Sequence, residues 1–224
     1  MVILMSMNHE EPFACRNCGE KCTFIVWDSL NTMVPEAKEK LMTGELFQHK
    51  CPKCGTVANL VYDLLYHDMD NQTMIQLVTS GVNLRHYIDL FNTFAKQEIV
   101  PGLPKTGDDY RLRIVKTQDE LREKANIFDL GLDDRVIEVM KAIIGSQLSK
   151  SESDFYIAEM LLEITGKPER FYIRLGNGRV GATEFPQELY DKLLKDFFSS
   201  SDDGKKEYLV DLAWGEYFIN HLKG

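Results

Sequence analysis

An α+β fold is predicted by three features of the 224-residue chain. Two short cysteine turns, Cys15-Arg16-Asn17-Cys18-Gly19 and Cys51-Pro52-Lys53-Cys54-Gly55, share the C-x-x-C-G form and are separated by 32 residues. Runs rich in β-branched and aromatic residues follow the turns, as strands require. Stretches with apolar residues at helical spacing fill much of the rest. In a C-x-x-C turn both sulfurs face one point, and the glycine that follows permits a positive φ that leaves backbone N–H groups free to point at them. Two such turns supply four thiolates in tetrahedral array, the geometry of a closed structural Zn²⁺ site with Zn–S near roughly 2.3 Å. Cys15, Cys18, Cys51 and Cys54 are the expected metal ligands. The expected architecture is a small antiparallel sheet built on this zinc-ribbon-like four-cysteine site, with helices and a C-terminal α+β segment.

Taken in order, Cys22-Thr-Phe-Ile-Val-Trp-Asp28 reads as a strand. Pro35 to Met42 reads as a short helix, with Pro at its first position and Gly44 just past its end. Leu46–Lys50, Val57–Leu65 and Met74–Val78 read as further strands of the small antiparallel sheet. Leu84, Tyr87, Ile88, Phe91, Phe94 and Ala95 then fall at helical spacing, and residues 101–107 form a loop. Tyr110–Val115 alternates as a strand. Thr117-Gln-Asp-Glu120 is a capping box opening a helix, which Gly131 breaks. Asp133 or Asp134 caps a longer helix with an apolar stripe from Val136 to Leu148. A polar break at 150–154 divides an expected domain over 8–149 from a C-terminal segment over 150–224. In that segment 155–164 reads as a strand, and Asn177-Gly178 is a hairpin turn between two strand-like runs. A helix from Pro186 to Phe198, a loop over 199–204 and a last helix through Trp214 to Leu222 complete the chain.

Charge and composition exclude several classes. The net charge is −9. Residues 1–107 carry 9 Lys+Arg against 12 Asp+Glu, and residues 108–224 carry 17 against 23, so neither half offers a broad phosphate-binding face. Met1–Met7 is apolar but lacks a basic n-region and is short for a signal segment, and no run approaches the ~18 apolar residues of a membrane span. The expected location is the cytoplasm, where thiols stay reduced and paired C-x-x-C turns bind metal. A phosphate loop, a dinucleotide fingerprint, a nucleophile elbow and an HExxH pattern are all missing from the sequence.

Several blocks together resemble the CpXC domain family. They are the two cysteine turns, Pro35-Glu-Ala-Lys-Glu-Lys-Leu41, Gly44-Glu-Leu-Phe47, Leu65-Tyr-His-Asp68, Arg113-Ile-Val-Lys116, Glu120-Leu-Arg-Glu-Lys124 and Leu132-Asp-Asp-Arg-Val-Ile-Glu138. The resemblance spans about residues 13 to 145, and Arg16 stands where the name-giving proline would be. It implies four-cysteine metal binding and brings no reaction with it.

One Zn²⁺ per chain is the expected cofactor. Iron is the less favoured ion, because rubredoxin-type chains are much shorter and keep their centre near one face. Arg16, Lys21, Lys50 and Lys53 lie in or beside the turns, where they offset the negative centre. The fifth cysteine, Cys22, reads as a small, half-buried strand residue rather than a redox thiol or a sulfur that swaps into the site. The most chemical-looking polar cluster is Tyr66-His67-Asp68, with Asp70 nearby. It reads first as a strand end satisfying backbone groups. His49 and His86 read as structural. The expected role is a non-catalytic module that binds another protein. Two alternatives stay open: a nucleic-acid-binding ribbon using Arg111, Arg113, Lys116 and Arg122, and an enzyme with its site near His67 and Asp68.

Overall fold

The first cysteine turn folds the chain back on itself, so the strands on either side of it pair. This is seen in a computed structural model that describes residues 6–96, 109–149, 156–164, 167–198, 204 and 207–222. The loop expected over 101–107, the polar break at 150–154 and residues 199–203 of the last loop lie outside the described residues. The chain divides into two compact units, Met1–Arg122 and Glu123–Gly224.

In the first unit, β1 (Met7–Ala14) and β2 (Lys21–Asn31) run antiparallel, with Phe13 opposite Cys22 and Ala14 opposite Lys21. β1 is an edge strand and is exposed along nearly its whole length. That position tolerates Pro12, which has no N–H to donate. α1 (Pro35–Thr43) begins on its proline and ends at Gly44, whose φ of 81° is the left-handed conformation of a helix stop. Leu41 and Ala37 bury its inner face. A single 3₁₀ turn, Glu45–Phe47, leads into β3 (Gln48–Lys50), which pairs with β4 (Val57–Asn59) across the second cysteine turn.

β5 (Leu64–Asp68), β6 (Thr73–Leu77), α2 (Leu84–Ala95) and β7 (Arg111–Val115) follow. The five-stranded sheet has the order β1-β2-β5-β6-β7. β6 is buried at every position and β7 at all but Arg111, so both read as continuous rather than alternating strands. α2 buries Phe91 and Phe94, and Phe94 meets Tyr110 edge to face at 5.5 Å.

Two expectations need correction here. The main sheet is mixed, not antiparallel: β2 pairs parallel with β5, and β6 parallel with β7. Parallel neighbours need long crossovers, and the chain supplies them between residues 31 and 64 and between 77 and 111. The single strand expected over Val57–Leu65 is two strands, β4 and β5. At the break Leu60 N–H donates to Phe47 O, and the Tyr62 hydroxyl donates to Leu46 O. The small antiparallel sheet that remains at the cysteines is the β3–β4 pair.

At the β4–β5 junction Asp63 collects four donors: the Thr79 N–H and hydroxyl at 2.8 Å each, the Asn83 amide at 3.1 Å and the Tyr87 hydroxyl at 3.3 Å. Burial alone would push its carboxyl up, but these donors together hold it below the usual range.

α3 (Gln118–Asp129) opens on the expected capping box, with Thr117 Oγ1 accepting from Glu120 N and Glu120 Oε2 accepting from Lys116 N and Thr117 N. The division between the units falls inside this helix. The second unit continues with α4 (Asp134–Ser149), β8 (Ile157–Ile164), β9 (Pro168–Leu175), β10 (Val180–Glu184), α5 (Gln187–Leu193) with a π turn through Phe198, and α6 (Leu212–His221). Its sheet is antiparallel, in the order β10-β9-β8, and Gly178 at φ 84° makes the β9–β10 turn. α6 approaches α4 so closely at Gly215 that a Cβ there would lie 2.4 Å from Glu138 O.

A buried ion network holds this unit together. Lys124 Nζ lies 3.1 Å from Asp134 Oδ2 and 2.9 Å from Glu138 Oε1. Lys141 Nζ lies 2.7 Å from Glu123 Oε2 and 3.1 Å from Glu138 Oε1. The Leu162 N–H of β8 donates to the second oxygen of Glu123. All five side chains are buried. Burial would lower the Lys141 ammonium, but Glu123 and Glu138 against it hold it above its ordinary value.

Two predictions follow from these contacts. Lys141→Met strips a cation from Glu123 and Glu138 and is expected to cost about 3–5 kcal/mol in guanidinium unfolding; an unchanged midpoint would remove the network from the account of stability. Because the folded Asp63 carboxyl is depressed, its contribution is present above its unfolded value of about 3.9 and disappears as pH falls through the lower folded value. Asp63→Asn should therefore destabilise the protein at pH 7 and cease to do so in strong acid, as read by thermal melts across pH.

Candidate metal centre

The two cysteine turns sit at the tips of two hairpins, β1–β2 and β3–β4, and repeat the same local bonds. Cys15 N donates to Glu20 O and Gly19 N to Cys15 O; Cys51 N donates to Thr56 O and Gly55 N to Cys51 O. Gly19 and Gly55 have φ of 70° and 73°, the left-handed values that the spacing predicts. The turns are also tied to each other. Asn17 Nδ2 donates to Thr56 Oγ1 at 3.1 Å, and Lys53 Nζ lies 3.0 Å from Glu20 Oε2.

This brings all four sulfurs within 4.8 Å of one another. Cys15 Sγ is 3.7 Å from Cys54 Sγ, and Cys18 Sγ is 3.7 Å from Cys51 Sγ. A tetrahedron with Zn–S of about 2.3 Å has sulfur–sulfur edges of about 3.8 Å. The donor set therefore fits one tetrahedral ion and can hold a metal. Cys15 and Cys51 are buried, Cys18 is half-buried and Cys54 is exposed.

The thiols are strongly unequal. Cys54 is pulled down to about 5, first by the Thr56 hydroxyl 3.2 Å from its sulfur and then by the Thr56 N–H and the Asn17 amide. Cys18 gains from the Glu20 N–H but is pushed up to about 12 by burial and the three neighbouring sulfurs. Four sulfurs this close do not all ionise without a cation among them.

Around the centre, Phe13 meets His49 edge to face at 4.8 Å, and Phe24 and Tyr62 continue the aromatic file at 5.8 Å. His49 Nε2 is buried and makes no hydrogen bond. Arg16, Lys21, Lys50 and Lys53 are all exposed around the turns. Cys22 packs in one buried cluster with Cys15 and Cys51. The sequence reading of a small strand residue missed that contact.

The structure separates the other sequence candidates. His67 and Asp68 are neighbours on β5, so their side chains leave opposite faces. His67 Nε2 is 3.2 Å from Tyr110 Oη, and its Nδ1 is 3.4 Å from the Asn31 amide. Asp68 Oδ1 accepts from Asp70 N and Asn71 N, and Oδ2 accepts from Tyr66 Oη and Asn71 Nδ2. Neither residue lines the cavity of about 530 Å³ in this unit, which opens among Val26, Asp28, Asp63, Leu65, Gln76 and Tyr87. Arg113, central to the basic stretch, is fully buried, and Arg122 is ion-paired with Asp119.

The family model described as CpXC protein matches residues 13–141, more than half of the chain. The chain belongs to the CpXC family. No curated protein and no solved structure matches it. The CpXC match runs from just before the first cysteine turn into α4, so it takes in both cysteine turns and all five side chains of the buried ion network.

Asp68→Ala removes the acceptor of the Asp70 and Asn71 N–H groups, at a cost of about 1–3 kcal/mol. Urea unfolding should register that loss while metal content stays at the wild-type level. A variant that folds normally but loses metal would connect this turn to the centre.

Proposed function

We propose that this CpXC protein is a non-catalytic, cytosolic protein-binding module built on a structural zinc site with Cys15, Cys18, Cys51 and Cys54 as ligands. The observation that carries this reading is the closed sulfur tetrahedron. Every vertex is a thiol, so a bound ion has no open position for water or substrate, unlike a catalytic zinc. Bound there, zinc would supply charge neutralisation and a cross-link between the two hairpins. The residues do the rest: the knuckle N–H groups orient the sulfurs, and Asn17, Thr56 and Lys53 fix one turn against the other. Iron fits the same four thiolates, and metal analysis distinguishes the two.

A protein partner is favoured by the surface. Ile25, Val57 and Val61, on β2, β4 and the β4–β5 link, are 49%, 53% and 71% exposed. The nucleic-acid reading finds little support, since the Arg111–Arg122 stretch buries or pairs its central cations and the net charge is −9.

Freshly purified protein should contain about one zinc per chain by mass spectrometry. Cys51→Ser should lose that metal and unfold the first unit, since structural zinc in finger peptides contributes on the order of 10–16 kcal/mol. Normal melting of the Cys51→Ser protein would sink the structural role, and bound iron would replace the zinc reading with electron transfer.

A further inference from the structure

A fifth sulfur, that of Cys22, packs beside the four of the centre and is unexplained by folding. Cys22 lies seven residues after Cys15 on β2, and Ala58 lies seven residues after Cys51 on β4, at the matching place of the second hairpin. Their cross-strand neighbours, Phe13 and His49, match too and touch each other. An alanine therefore satisfies the hairpin at this position, and the first hairpin carries a thiol there instead.

That thiol is held at the inner side of the tetrahedron. Cys22 is 7% exposed and packs in one buried cluster with Cys15 and Cys51, the two buried members of the set. Its other contact is a long one, 3.6 Å from its sulfur to Glu20 O. The outer side is different. Cys54 is exposed and is the thiol that oxidants and electrophiles reach. Zinc ligand exchange proceeds by adding an entering group before a bound one leaves, because the ion tolerates five-coordination. A sulfur that enters beside Cys15 and Cys51 faces the opposite pair, Cys18 and Cys54, of which Cys54 is the exposed member.

Resting on the four-thiolate reading above, we propose that Cys22 is a reserve ligand of this centre. When Cys54 is lost or modified, the metal–sulfur bond to Cys54 breaks, the Cys22 thiol releases its proton to solvent, and a metal–sulfur bond to Cys22 forms. Cys15, Cys18, Cys22 and Cys51 would then hold the metal, and the two hairpins stay joined. The centre thus survives damage at its single exposed sulfur.

Cobalt(II) substitution in the full chain tests this, because the visible bands and the sulfur-to-metal charge transfer distinguish four thiolates from three. Wild-type protein must first give the four-thiolate spectrum; its absence overturns the four-cysteine reading itself. Cys22→Ala alone should keep that spectrum, with affinity reduced by no more than the about 10–100-fold typical of an outer partner. Cys54→Ser should also keep it, and Cys54→Ser combined with Cys22→Ala should fall to three thiolates or release the metal. A three-thiolate spectrum, or no binding, in Cys54→Ser alone overturns the proposal while leaving the four-cysteine site standing. Loss of the four-thiolate spectrum in Cys22→Ala alone makes Cys22 a resident ligand and overturns it as well.

Discussion

Four sulfurs within 4.8 Å of one another impose the constraint on which the first unit depends. As free thiols they make a poor core, and as thiolates they repel. The chain answers with knuckle N–H groups and the Thr56 hydroxyl, but these favour Cys54 strongly and leave Cys18 resisting ionisation. Only a cation at the centre makes all four positions equivalent. The surrounding structure serves that point: two hairpin tips, repeated in their bonds, are tied by Asn17 to Thr56 and Lys53 to Glu20.

The path of the chain follows from the same requirement. The first hairpin is the outer edge of the main sheet, and the second belongs to a separate pair of short strands. Between them α1 and the 3₁₀ turn carry the chain across, with Leu41, Leu46 and Phe47 buried on the way. The return to β5 beside β2 is what makes that pairing parallel. Behind the centre, Phe13, His49, Phe24, Tyr62 and Phe47 form a continuous aromatic file.

Local features were legible in the sequence and non-local ones were not. The cysteine turns, the Pro35 helix start, the Thr117 capping box and the Asn177-Gly178 turn are each encoded within a few residues, and each forms where the pattern places it. β1 was invisible because Asn8 to Glu11 are polar and carry no strand signal; the strand exists because the turn beside it pairs it with β2. Parallel pairing depends on which distant strands meet, which no window of residues records. Arg113 misled for a different reason: it counted toward a basic face and is fully buried in the first unit. Charged residues read as surface, so the ion network of the second unit, where complementary charges satisfy one another in the interior, carried no signal in the sequence.

The spacing of the two hairpins has a thermodynamic meaning of its own. A metal held by Cys18 and Cys51 closes a loop of 32 intervening residues, much as a disulfide would. On the chain-entropy account a closure of that length removes about 4 kcal/mol of freedom from the unfolded chain. Unlike a disulfide, such a staple would form and release without a redox partner, at a rate set by the availability of the ion. With a metal held there, the stability of the first unit would be a function of metal supply, and the amount of folded protein would report the free concentration of the ion around it.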